Sequence, residues 1–189
     1  MKRLQVLFAV AVISLVFGLL PQRVAAQDND PAQFAERLAV LNTYLREASE
    51  LAIERAQQDT IRNFALTAID QDRNFAADLA ESAMLEGVML DDDLDQEYAS
   101  KLEAIRQASD ETFDMAYISA QVTAYESMVE LIMPYIENGP IGQLKAFASD
   151  HISGPRSLYN IALNLSRTQA PLPAPVSPDT TFVPSAPAD

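Results

Sequence analysis

An all-α fold is predicted for this chain: four main helices running up and down as a bundle, with a short extra helix before the third long one. Three observations predict it. Apolar residues recur at spacings of three and four through most of residues 34–165, the period of helix faces turned to a core. Gly is scarce, 5 in 189 residues, and Ala is abundant, a balance that favours helix over sheet. No stretch alternates polar and apolar residues for long enough to predict a strand.

Residues 1–26 read as a secretory signal peptide. Lys2 and Arg3 form its charged start. Residues 4–20 are an apolar run broken only by Gln5, Ser14 and Gly18, and Val24-Ala25-Ala26 supplies small residues for cleavage. The mature chain is then expected to begin at Gln27, in the periplasm. Left uncleaved, a run of 17 residues (20 − 4 + 1) stands at the lower edge of what spans a bilayer. There is no Cys, so neither an acylated lipoprotein Cys nor a disulfide is available, and the fold rests on its core. The formal charge is −14; without Lys2, Arg3 and Arg23 it becomes 10 − 27 = −17. So acidic a chain is a poor partner for nucleic acid or an anionic membrane surface, which need clustered Lys and Arg. Residues 27–168 suit one domain.

The first helix is predicted over residues 31–58, with Asp30 as cap and Pro31 in first position. Phe34, Leu38, Leu41, Leu45, Ala48 and Ala52 form its seam. The second runs over residues 60–89 from a cap at Asp59 or Thr60, with Ile61, Ala65, Ala68, Asp72, Phe75, Leu79 and Ala83 as its seam. A loop over 89–95 leads to a short helix over 94–107, whose apolar side is Leu94, Tyr98, Leu102 and Ile105. The long helix fills residues 109–139 and is the element the others cover. Ser109 caps it, and Asp110 and Glu111 suit the positive end of its dipole. Two adjoining stripes, Phe113-Tyr117-Ala120-Ala124-Leu131-Tyr135 and Ile118-Val122-Tyr125-Val129-Ile132-Ile136, make its apolar face wider than one neighbour needs. Pro134 predicts a loosened last turn, and Asn138-Gly139-Pro140 a stop with Gly139 in the left-handed conformation. The last helix begins near Pro140, turns Ile141, Leu144, Phe147 and Ala148 inward, and breaks or kinks at Gly154-Pro155. Leu158, Ile161, Ala162 and Leu165 resume the stripe. Residues 169–189 hold six of the 11 prolines and no apolar period, and read as a disordered tail.

Three blocks carry a family resemblance: AQQDTIRNFA at residues 56–65, TFDMAYISAQV at 112–122, and the stretch 144–163 with Pro155 inside it. Together they resemble a bacterial periplasmic family of ferritin-like bundles that carries a domain of unknown function and is often labelled exported or outer-membrane. The Phe113-Asp114-Tyr117 block is the most specific of the three. The resemblance implies a ferritin-like bundle. It also implies internal His residues at positions where this chain has Asp72, Tyr125 and Asn160, with Gln71 in place of the Asp before the first His. Chemistry that those His residues support in relatives is therefore not carried over.

A ferritin-type di-iron centre needs two Glu-x-x-His pairs and two further Glu. The chain has one His, His151, and Ala148 stands three residues before it, so the motif is absent. His151 reads as a surface or hinge residue beside the kink. For Asp72 two arrangements are open. Either the seam rolls so that Ile69 and Ala76 face inward and Asp72 reaches solvent or Arg73, or Asp72 bonds the hydroxyl of Tyr117 or Tyr125 inside a buried polar network. Asp91, Asp93 and Asp95 have the spacing of a calcium loop, but Gln96 replaces its Gly and Leu102 its last Glu. They read as a solvated acidic turn. Met84, Met89, Met115, Met128 and Met133 read as core filler rather than a copper site. Arg46 and Glu50 have i,i+4 spacing for an ion pair.

The expectation is an exported, non-enzymatic helical-bundle protein working through contacts with a protein partner, with no cofactor, no nucleic acid and no stable membrane insertion after cleavage. The alternative is a degenerate ferritin-like binder of metal or a small ligand, using Asp72, Tyr125 and His151 with Glu47 or Glu126.

Overall fold

The computed structural model describes residues 29–91 and 93–169. The expected signal peptide, the tail beyond Gln169, and Asp92 of the acidic turn lie outside the described residues. Those described form six helices and no strand: α1 (Pro31–Arg55), α2 (Asp59–Leu85), α3 (Gln96–Gln107), α4 (Asp110–Asn138), α5 (Gln143–His151) and α6 (Ser153–Gln169). Among them no helix is long and apolar enough to cross a membrane.

α1 packs on α2 and α4, α4 on α6, and α5 and α6 lie end to end and cover α2 and α4. α3 crosses α1 and the first half of α4. The predicted seams of α1 and α2 are buried at every position, and most of the α4 stripes are buried with Met128 added. At one end of the bundle Phe34 stacks on Tyr135, ring centroids 3.6 Å apart, which joins the start of α1 to the end of α4.

The helix ends differ from expectation in physically informative ways. α1 stops at Arg55 rather than residue 58. α2 starts at Asp59, with extended Gln58 as its cap residue, because Asp114 of α4 accepts the backbone N–H groups of Gln57 and Gln58, each at 3.0 Å. α2 ends at Leu85 instead of Met89. Gly87 there adopts φ 75°, and Val88 N–H reaches back to Ala83 O at 2.9 Å, a Schellman closure. Gly139, expected in that role, is extended at φ −63°. α4 continues past Pro134 to Asn138. α3 starts at Gln96, capped by Asp95, which accepts Tyr98 N–H at 2.8 Å. α5 starts at Gln143 rather than near Pro140, and Glu86 supplies its cap by accepting Leu144 N–H at 2.9 Å. A Cβ on Gly142 would overlap the Glu86 carboxylate, so a larger residue there would push that cap aside. Ile141 is 99% exposed and Ile161 40% exposed, and neither faces inward. The Arg46–Glu50 pair is not formed; Glu50 meets Arg73 at 3.9 Å.

Arg55 closes the opposite end of the bundle. It donates to the carbonyls of Arg106 and Ala108, both at 2.7 Å, pairs with Asp110 at 3.1 Å, and lies 4.4 Å over the Phe113 ring. One guanidinium thus ties α1 to the α3–α4 turn.

The Asp114 contact gives a direct expectation. Asp114→Ala leaves two N–H groups at the α1–α2 turn without acceptors and lowers unfolding free energy by about 2–3 kcal/mol in urea titrations. Glu111→Ala, on the exposed side of the same turn of α4, is expected to change it far less.

Candidate functional site

The buried face of α4 carries the polar residues Asp114, Tyr117, Gln121 and Tyr125 at spacings of three, four and four, with Tyr135 apart from them near its end. On a helix this spacing makes a single stripe. Each member reaches a different part of the fold. Asp114 holds the α1–α2 turn as described above. Tyr117 Oη lies 2.9 Å from Ser49 Oγ. Ser49 gives its one proton to Leu45 O at 2.8 Å, so Tyr117 is the donor. Gln121 Nε2 donates to the same carbonyl at 3.2 Å, while its Oε1 is buried without a hydrogen bond among the described residues. Tyr125 Oη donates to Asp72 Oδ2 at 2.9 Å, joining α4 to α2.

Asp72 is 3% exposed. Burial pushes its carboxyl up to about 7, against the opposing pull of the Tyr125 hydrogen bond and the Arg46 charge. Burial also pushes the Tyr117 and Tyr125 hydroxyls well up, so both stay protonated donors. Asp72 also lines a cavity of about 250 Å³ at the α5–α6 junction, with Gln71, Asp78, Asp150, His151 and Pro155 among its other walls. His151 Nε2 lies 3.6 Å from Asp78 Oδ2, and its ring stacks on Phe147 at 4.5 Å and meets the Phe75 ring edge-on at 6.1 Å. The arrangement can hold or release a proton near neutrality on a buried carboxyl of a cavity that an imidazole also lines. No group of three or more His, Asp or Glu is placed to hold a metal ion among the described residues.

The structure brings together some of the predicted residues and separates others. Asp72 and Tyr125 touch; Tyr117 is bonded to Ser49; His151 shares the cavity with Asp72 but pairs with Asp78. The rolled seam is not adopted: Asp72 points inward, and Arg73 turns to Glu50. Asp91 accepts Asp93 N–H at 3.1 Å and Asp95 caps α3, so these carboxylates serve the chain's own turns. Glu47 stands in a separate groove with Arg46 and Arg73, Glu126 accepts from Tyr159 at 3.4 Å, and Asn160 is exposed. Of the five methionines read as core filler only Met128 is fully buried; Met84, Met89 and Met115 are exposed. Sequence reasoning missed Ser49 and Gln121, and marked Asp114 only as part of the Phe113-Asp114-Tyr117 block without a role. The available signal was that 114 and 121 fall in register with Tyr117 and Tyr125.

The sequence pattern of DUF4142, a domain of unknown function, matches residues 20–164. The chain belongs to that family. The match takes in the whole α4 stripe and its partners on α1 and α2. Among solved structures, the crystal structure of a DUF305 fragment from Deinococcus radiodurans is similar in fold. Its TM-score is 0.63 at 15% identity, over 72% of this chain and 95% of that one. No curated protein matches this DUF4142 chain.

The raised Asp72 carboxyl fixes the sign of a pH dependence. Below pH about 4 the folded and unfolded chains both hold the proton; between about 4 and 7 only the folded chain does, so stability falls as pH rises, by up to about 4 kcal/mol in total. Asp72→Asn still accepts from Tyr125 and cannot ionise. Urea unfolding at pH 4 to 8 is expected to show the variant gaining on the parent as pH rises and levelling off above about 7.

Proposed function

We propose that this DUF4142 chain is an exported, non-enzymatic protein that works by binding a protein partner. Its scaffold is a ferritin-like, up-down four-helix bundle: α1, α2, α4 and the end-to-end pair α5–α6 serve as the rods, and α3 is the extra helix. Export to the periplasm is supported by the leader pattern of residues 1–26. The observation that carries the binding role is a set of large apolar side chains left in solvent at one end of the bundle. Met84 is 69% exposed, Leu85 61%, Met89 92% and Ile141 99%. The Glu86–Leu144 hydrogen bond holds the two segments that bear them side by side. Glu81, Glu86, Asp91 and Glu137 flank them. Apolar contact area inside an acidic rim suits a partner with an apolar face bordered by Lys and Arg.

A second reading has one specific observation in its favour, the cavity that Asp72 and His151 share. In that reading the bundle retains a polar interior for a cation or small ligand.

Two measurements separate the readings. Capture from envelope extract by the parent chain, repeated with Met89→Glu/Ile141→Glu and with the chain ended after Gln169, is expected to yield a salt-sensitive partner that the double variant loses with its melting temperature unchanged. Equal capture by parent and double variant removes the first reading. Elemental analysis of protein purified without chelator tests the second: stoichiometric metal that Asp72→Ala abolishes would establish it, and metal-free protein whose melting ignores added iron, copper or calcium would remove its metal form.

A further inference from the structure

A groove of about 350 Å³ runs between α3 and α4. Its floor is the one face of α4 lined by small residues, Ala116, Ala120, Thr123 and Ser127, with Ser119 beside them. Its rim is aromatic: Tyr98 is half-buried, its ring 5.2 Å from that of Tyr44 and 4.4 Å from the Lys101 ammonium. A floor of small side chains under an aromatic rim admits a flat, rigid ring close to the helix backbone. Extended proline-rich chain has that shape, and because it makes no internal hydrogen bonds, its carbonyls seek donors such as Ser119, Lys101 and Tyr98 at the rim.

The chain carries such a segment, and it departs from the right place. α6 runs antiparallel to α4: Arg156 meets Met133, and Tyr159 meets Glu126. The ten residues from Tyr159 to Gln169 (169 − 159) carry α6 about 15 Å further, level with Ala116 at the end of the groove. The sequence continues PLPAPVSP over residues 171–178. At about 3.1 Å per residue those eight positions extend about 25 Å, against about 16 Å for the groove floor from Ala116 to Ser127.

We propose that the α3–α4 groove is the seat of this chain's own proline-rich segment, residues 171–178. This goes beyond the partner-binding reading and does not rest on it, since the apolar end of the bundle lies away from the groove.

The absence of native Cys makes the test clean, because an introduced pair is the only one in the chain. In the full chain, Ser119→Cys/Ala174→Cys is expected to close an intramolecular disulfide under mild oxidation. Adding Pro171→Ser/Pro173→Ser/Pro175→Ser, or Tyr98→Ala, is expected to slow closure at least tenfold. The proline changes fall outside the helices, so that arm stays informative if Tyr98→Ala fails to fold. Closure at the same rate in all variants would mean that the tether alone brings the segment near, and would overturn the proposal. So would disulfides formed between chains, which would make the groove a seat for a second copy.

Discussion

The polar stripe of α4 is the constraint on which the arrangement of the other helices depends. Apolar burial holds the helices together but is indifferent to direction, and the seams of α1 and α2 are rich in alanine, which resists sliding weakly. Asp114, Tyr117, Gln121 and Tyr125 are not indifferent, because each has a particular partner on the α1–α2 turn, α1 or α2. A shift of α4 by one turn would leave all four buried without those partners. At about 1–3 kcal/mol for each unsatisfied group the total is about 4–12 kcal/mol, comparable with the whole stability of a domain. Sliding is therefore excluded by hydrogen bonding rather than by packing. The stacked rings of Phe34 and Tyr135 repeat the same register at the end of the helix.

The few charges that matter to the fold act on helix ends. Arg55 collects the carbonyls at the end of α3, Lys145 donates to Glu137 O and Gly139 O at the end of α4, Glu86 accepts at the start of α5, and Asp114 accepts ahead of α2. Each meets backbone groups that a helix terminus leaves unpaired. The pairs Arg62–Asp59, Lys101–Glu97 and Arg106–Glu103 lie on exposed single-helix faces, where such contacts contribute little. A chain of formal charge −14 thus assigns its charged side chains to connections while its core stays largely apolar.

The seams could be read from the sequence because periodicity records which face is buried, and Asp72, the one polar position in the α2 seam, is buried with it. The sequence leaves Asp72 open between solvent or Arg73 and an inward bond to Tyr117 or Tyr125, since the choice needs the relative height and rotation of α2 and α4. Gln121 goes unmarked, and Asp114 stands out only within its family block with no partner assigned, because a search for apolar spacing treats polar residues as gaps. Ile141 was misplaced for the opposite reason. Its hydrophobicity says that it prefers an apolar contact, and says nothing of whether the chain between α4 and α5 is long enough to provide one. Gly139 and Gly87 show the same limit. A Gly before Pro is a good helix stop, but the left-handed residue fell where Val88 could return to Ala83.

Among the partners of the stripe, Asp72 differs from the others. Tyr125 needs only an acceptor, and an amide would supply one without an ionisable group. A carboxyl adds a charge that can be withdrawn. Asp78, Asp150 and His151 share the cavity wall with Asp72, with His151 beside Asp78. Protonating Asp72 removes a negative charge from the wall of a space of about 250 Å³ while leaving the Tyr125 hydrogen bond in place. The wall is therefore most acidic above neutrality, where the buried carboxylate also costs the fold most. The electrostatic character of that cavity and the stability of the α2–α4 contact are thus coupled through one proton on one side chain.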